Sequence, residues 1–285
     1  MNKTLLSVGH GFSARALADR LVPEGWRVIG TTRSAEKCEA ITRTGVEAIL
    51  WPGSDLGAIL QDVSHLLVSA GPGPDGDPFL AEYADPLRAA THLKWVGYLS
   101  TTGVYGDHQG AWVDEDTALT PATKRGQARV EAEGAWQSIP GLPLHIFRLA
   151  GIYGPGRGPF AKVRKGTARR IIKPGQVFSR IHVEDIAQAL ELSIAQPDPG
   201  AVYNLCDDDP APPQDVIAYA AALLGVPVPP AVPFDEAEMT PMARSFYAES
   251  KKVRNDRAKK ALGWKPAYPD YKSGLNALLA REQSK

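Results

Sequence analysis

Cysteine is nearly absent: the 285 residues hold only Cys38 and Cys206, far apart and in no metal-ligand or redox spacing. A disulfide framework is thereby excluded, and a reducing, cytoplasmic setting with both thiols packed is expected. Net charge is lacking too. The 32 Lys and Arg balance the 32 Asp and Glu, which argues against a general nucleic-acid or membrane-surface binder. No apolar run reaches the length of a membrane span. The start, MNKTLLSVGHGF, has no signal-length apolar region, and no histidine cluster has metal spacing. The partner expected is therefore a small molecule, with neither nucleic acid nor membrane.

Short apolar runs are what the chain does have. TLLSVG, RVIGTT, VEAIL, HLLVSA, WVGYLS, LHIFRL and VYNL read as buried strands bounded by Gly, Pro or polar residues. Amphipathic stretches such as FSARALADRL, SAEKCEAITRT and the run from Glu184 to Ala195 lie between them. Strand and helix in alternation predict an α/β fold, a doubly wound parallel sheet covered on both faces. Residues 1–150, with a return segment 181–205, are expected to form this dinucleotide-binding domain. Residues 151–180 and 206–285, broken by APPQ and VPVPPAVPF, read as a smaller C-terminal substrate lobe.

The first strand ends in VGHGFSARAL. Gly9 permits a tight turn, Gly11 lets the backbone approach a pyrophosphate, and Ala14 lets the helix lie close to the sheet. Phe12 and Ser13 open that helix, whose amides and dipole would face the phosphate. About twenty residues on, where an acid would hold a ribose 2′-hydroxyl, stand Thr32 and Arg33. Arg33 could grip a 2′-phosphate through paired charge-assisted hydrogen bonds, so NADP is expected over NAD. Asp55 and Leu56 would lie near the adenine. Ser69, Ala70 and Gly71 would border the phosphates and ribose, with Ser100 also on the cofactor side.

GHGFSA, YLSTTGVYGD, FRLAGIYGPGR, RIHVEDIAQAL and KKVRNDRAKKALGWKP follow in order along almost the whole chain. In that order they resemble the landmarks of the extended short-chain dehydrogenases/reductases, which include the NAD-dependent epimerase/dehydratase family. The resemblance implies a Rossmann-type sheet, a lobe closing over substrate, and a homodimer through helices near Asp85–His92 and Pro121–Gln137. It implies that Thr101 bonds the reacting oxygen, and that Thr102 and Gly103 replace the acid pair of the dehydratases. The family's Tyr-x-x-x-Lys pair falls on RGQAR: Arg125 stands in place of the tyrosine and Arg129 in place of the lysine.

That exchange changes the chemistry. Tyrosine, with a pKa of ~10, can be tuned into an acid/base, whereas arginine stays protonated to ~12 or beyond. Arg125 could still polarise a carbonyl or hold an anion, and Arg129 could bond the nicotinamide ribose. The other reading is that both merely pair with acids such as Glu131, Glu133 or residues 114–116. Tyr105 and Tyr153 are further candidates at the pocket, and His182 with Asp185 reads as an anchor between sheet and lobe. From Gly151 to Val183 there is no acid, yet eight Lys or Arg; Arg157 and Arg164 are the substrate candidates there. Gly151 and Phe178 stand where sugar-nucleotide enzymes of the family place an asparagine and an arginine, which argues against that substrate class. The expected function is a divergent NADP-dependent oxidoreductase or isomerase/epimerase acting on a small, anionic molecule. The alternative is a non-enzymatic NADP(H)-binding redox sensor or regulatory protein.

Overall fold

The computed structural model describes residues 3–284, apart from the side chain of Met242. The first half alternates strand and helix: β1 (Thr4–Val8), α1 (Phe12–Leu21), β2 (Arg27–Thr32), α2 (Ala35–Thr42), β3 (Glu47–Leu50), α3 (Gly57–Asp62), β4 (His65–Val68), α4 (Pro78–Ala89) and β5 (Trp95–Thr101). After the short β6 (Trp112–Val113) come α5 (Lys124–Gln137), β7 (Leu144–Leu149), β8 (Gly151–Tyr153), α6 (Phe160–Arg164), β9 (Arg170–Ile172), β10 (Arg180–His182), α7 (Val183–Ala195) and β11 (Val202–Leu205). The last third holds α8 (Pro213–Leu223), β12 (Ala231–Pro233), α9 (Pro241–Phe246), β13 (Lys252–Val253), α10 (Asp256–Leu262) and α11 (Tyr271–Gln283).

Seven strands form one sheet in the order β11-β7-β5-β4-β1-β2-β3, every neighbouring pair parallel. These are the seven apolar runs read from the sequence. They need no polar alternation because helices cover both faces. Side-chain alternation divides the core accordingly. Leu5, Leu67, Leu99 and Phe147 pack towards α1 and α7, while Leu6, Leu66, Val96 and Ile146 pack with residues of α3, α4 and α5. A third cluster, with Tyr153, Phe160, Val216 and Leu275, sits in the second lobe. The strand order reverses between β1 and β4. In such sheets the crevice at the carboxyl ends of the strands at that point is where ligands bind.

Polar side chains fix the helices. Asp77 caps α4, accepting from the amides of Phe79 (2.9 Å) and Leu80 (3.1 Å), and its other oxygen accepts from Trp136 Nε1 on α5 at 3.0 Å. Asp185 on α7 accepts from the amides of Ala267 (2.6 Å) and Tyr268 (3.2 Å), tying the C-terminal segment to the sheet. In the sequence Thr120 and Pro121 read as the start of α5, with Thr as cap and Pro in the first turn, and the structure differs. The cap of α5 is Thr123, which accepts from the Gly126 amide at 3.1 Å. Thr120 Oγ1 instead donates to the Tyr105 carbonyl at 2.8 Å, so its side chain is committed to the preceding turn.

Three parallel pairs of short strands lie outside the main sheet: β8 with β10, β9 with β12, and β6 with β13. The last of these matters most for the site. By pairing Lys252 with Trp112 and Val253 with Val113, it returns residues 245–253 to the loop that follows β5.

Candidate active site

The glycine loop is built around two backbone demands. Gly9 adopts φ +74°, and a Cβ on it would lie 2.8 Å from the Ala70 amide nitrogen. Its own amide donates to Thr31 Oγ1 at 2.8 Å, and Gly11 N donates to Gly9 O at 2.6 Å. Gly11 then stands at the head of α1, with no side-chain cap and no acid in the first turn. That leaves a bare positive helix end, the arrangement that suits a phosphate. Ala14 is buried against the sheet.

A cavity of about 730 Å³ opens from this loop and runs under the second lobe. Gly9, Gly11, Phe12, Ser13, Ser69, Ser100, Thr101, Arg125, Arg129, Tyr153 and Arg157 all line it, so residues from five stretches of sequence share one space. Thr32, Arg33, Asp55, Leu56, Ala70 and Gly71 do not line the cavity; they follow or end β2, β3 and β4 along the same rim. Arg33 is exposed, and Thr32 Oγ1 accepts from the Ser34 amide at 3.3 Å. Asp55 Oδ1 accepts from the Gly57 amide at 2.8 Å, and the Leu56 side chain is core.

Among the described residues the two arginines of α5 have no acid partner. Arg129 Nη1 donates to the Leu99 carbonyl at 2.6 Å and to Tyr98 Oη at 3.2 Å. Its Nη2 rests against Gly71, where a Cβ would come within 2.9 Å. Arg125 is exposed and stacks over the Phe246 ring at 4.9 Å. The acids once available to them are engaged elsewhere: Glu131 with Gln127, Glu115 and Asp116 with Arg257, and Glu133 with Arg148. The ion-pair reading of Arg125 and Arg129 is therefore set aside.

Glu133 and Arg148 form a buried pair beneath the cavity, 2% and 5% exposed. Arg148 Nη2 donates to Glu133 at 2.7 Å, Ser100 Oγ donates to the same carboxylate, and Arg148 Nη1 donates to Tyr105 Oη at 3.0 Å. Tyr105 Oη donates in turn to Asn204 Oδ1 at 2.8 Å. Tyr105 reads from the sequence as a candidate at the pocket. It is a core residue, buried and outside the cavity, and burial pushes its hydroxyl up to about 12 against the pull of Arg148. Arg164 is a second correction: it lies on α6, pairs with Glu282 at the surface at 2.5 Å, and does not line the cavity.

Tyr153 does line the cavity, but its hydroxyl meets the Asp270 carbonyl at 3.5 Å and packs where Gly274 has no Cβ. Burial, reinforced by Asp207, Asp185 and Asp270, raises its ionisation far above the ordinary tyrosine value. Arg157 lies over the Phe12 ring at 5.5 Å. His182 is buried edge-on to Tyr153, and burial lowers it to about 4.

Sequence reasoning missed the lining from the second lobe: Phe178, Arg180, Phe246, Glu249 and Lys251. Lys251 is buried, its Nζ donating to the Gly106 carbonyl at 2.7 Å and to Glu249 at 2.6 Å. Only the KKVRND motif hinted at this segment, and nothing local in it says which side chain turns inward. Among the described residues no group of three or more His, Cys, Asp or Glu could hold a metal, and no helix is long and apolar enough to cross a membrane.

A parallel sheet in this order, a glycine turn leading into α1, and a second lobe roofing the strand ends define a dinucleotide-fold protein of the Rossmann type. No family model matches the chain. It is 31% identical over 242 residues to Protein YeeZ of Escherichia coli K12, covering 80% of this chain and 86% of that one. It is 62% identical, with a TM-score of 0.95, to the structure of a functionally unknown conserved protein from Silicibacter pomeroyi, covering 98% of this chain and 99% of that one. A Methylobacillus flagellatus structure assigned to the NAD-dependent epimerases/dehydratases matches at 28% identity and a TM-score of 0.72, over 99% and 100% of the two chains. MoeE5, solved with UDP-glucose and NAD, shares the fold at 20% identity and a TM-score of 0.75, over 99% and 100%. The chain is thus a relative of Protein YeeZ, and its structural neighbours are members of the NAD-dependent epimerase/dehydratase family of extended short-chain dehydrogenases/reductases.

Proposed function

We propose that this protein binds NADP(H) along the strand ends and acts as an oxidoreductase or epimerase on a small molecule in the adjoining cavity. The observation that carries the reading is one continuous space lined by the glycine loop, Thr101, Arg125 and Arg129. Gly9 and Gly11 would admit the pyrophosphate, the start of α1 would face it, and Ser69 and Arg129 would border the ribose and nicotinamide. The cofactor would supply or accept hydride. Thr101 Oγ1, which accepts from the Gly103 amide at 3.2 Å, and Arg125 would hold the reacting oxygen of the substrate. Arg125 acts there as a fixed positive charge that favours a developing oxyanion, since it cannot readily release a proton.

The NADP preference rests on Arg33, exposed at the end of β2 with no carboxylate paired to it among the described residues. Solved relatives of the fold hold NAD, as MoeE5 does, so cofactor choice is decided by measurement. In fluorescence titrations NADPH should bind at least about 10-fold more tightly than NADH, and Arg33→Asp should reverse or abolish the difference. Equal affinities for both dinucleotides, unmoved by Arg33→Asp, would sink the NADP assignment.

The arginines in place of Tyr and Lys favour a second reading, a redox sensor that binds the dinucleotide without turnover. Steady oxidation of NADPH with any small carbonyl compound, lost in Thr101→Ala and Arg125→Ala, separates the two readings in favour of the enzyme.

A further inference from the structure

Charge in the cavity is one-sided. Five cations line it, Arg125, Arg129, Arg157, Arg180 and Lys251, against one carboxylate, Glu249. Lys251 and Glu249 satisfy each other at 2.6 Å. Among the described residues none of the four arginines forms an ion pair. Arg180 is half-buried, and a guanidinium held partly from water without a paired counter-ion is costly, a cost that an incoming anion offsets.

Position divides the four. Arg157 lies over Phe12 at the head of α1, and Arg129 is held by the Leu99 carbonyl beside Gly71. Both belong to the dinucleotide side. Arg125 and Arg180 are coupled instead to aromatic residues of the second lobe. Arg125 stacks on Phe246, and Arg180 lies over Phe178 at 6.0 Å. Phe178 meets Tyr247, the residue after Phe246, edge-on at 5.7 Å. Each of the two guanidiniums thus sits on a phenylalanine that lines the cavity, and Phe246 leaves 48% of its surface open.

Arg180 is held at 2.8 Å and 3.0 Å by the carbonyls of Phe178 and Ala211, neutral partners that orient it without cancelling its charge. Of the acids that act on it, Asp207 comes before Asp209; Asp207 is 1% exposed, with neither carboxyl oxygen accepting a hydrogen bond among the described residues. Burial pushes Asp207 up to about 8 against the pull of Arg180.

We propose that Arg125 and Arg180 recognise the substrate as an organic anion, bearing a carboxylate or a phosphate, whose apolar body lies along Phe246 and Phe178. A guanidinium presents a planar fork of donors that fits either group. The proposal rests on the cavity's being the substrate site of the function proposed above.

Isothermal titration of the full chain, with and without NADPH, tests it using benzoate, phenyl phosphate and neutral benzyl alcohol at millimolar concentration. One or both anions should bind and the alcohol should not; which anion binds more tightly names the group. Arg125→Met and Arg180→Met should each weaken the anion by about 10-fold or more, with the melting temperature and NADPH affinity as controls. Should Arg180→Met fail to fold, Arg180→Lys should still weaken binding, because it loses the planar fork. No binding of either anion, equal binding of the alcohol, or anion affinities unmoved by the variants would overturn the proposal. Loss of NADPH binding with the anion site intact would strike the cofactor reading alone.

Discussion

At the scale of single residues, the consequential feature is the separation of the arginines into structural and available ones. Arg148 is spent on a buried carboxylate, whereas Arg125 and Arg180 keep their charge for the cavity. Burial raises the stakes for the first kind. Taking one partner from a buried ion pair strands the other charge, which costs about 3–5 kcal/mol, far more than loss of an exposed pair. Glu133→Gln should therefore lower unfolding free energy by roughly that amount in urea titrations, because it removes the counter-ion of Arg148 and leaves one acceptor oxygen where Arg148 and Ser100 now share two. By contrast, Glu39→Gln, which breaks an exposed pair with Arg43, should change stability by less than about 1 kcal/mol. Equal effects of the two substitutions would show that the buried network holds nothing together.

At the scale of elements, two devices fix the helix that carries Arg125 and Arg129. Thr123 caps its start, and Asp77 holds Trp136 near its end while capping α4. Asp77→Ala should thus lose a cap and leave the buried Trp136 N–H without an acceptor, a combined cost of about 2 kcal/mol or more. Chemical denaturation against Asp77→Asn, which keeps only one of the two acceptor oxygens, checks it; the Asn variant should recover only part of the loss. The predicted start of α5 at Thr120 and Pro121 missed by one turn for a tertiary reason. A Thr-Pro pair is a sound helix start, but Thr120 is already bonded to Tyr105, and TPAT offers a second threonine that is free to cap.

At the scale of the whole molecule, buried titratable groups give stability two opposed pH dependences. Burial lowers His10, His65 and His182 to about 4 from an ordinary 6.5. The unfolded chain binds those protons first, so stability present above pH 6.5 is lost as the pH falls to about 4. Burial raises Asp207 from 3.8 to about 8, so the folded chain holds that proton longer and its contribution declines as pH rises through this window. Thermal melts from pH 4 to pH 9 should show the native chain losing stability relative to Asp207→Asn as pH rises, with the gap levelling above about pH 8. A constant gap would contradict the buried, proton-bearing carboxyl.

Much of this was legible in the chain. The seven main strands are continuous apolar runs because both faces of a parallel sheet are buried, and the glycine turn is legible because Gly9 alone fits its backbone angle and close approach. Thr101, Arg125 and Arg129 are located by the resemblance of their motifs to the family's, and all three line the cavity. Sequence determined the strands and the turn because their causes are local: side-chain period, turn geometry and spacing along one strand–helix unit. The tertiary structure alone decided which polar residues face the cavity. Tyr105 and Tyr153 both sit in Tyr-Gly turns, yet one is locked in the core by Arg148 and Asn204 while the other lines the site. Phe246, Glu249 and Lys251 reach the site because β13 pairs with β6, far away along the chain. Burial and counter-charge depend on contacts of that range, and so does whether an arginine serves the fold or remains available to a ligand.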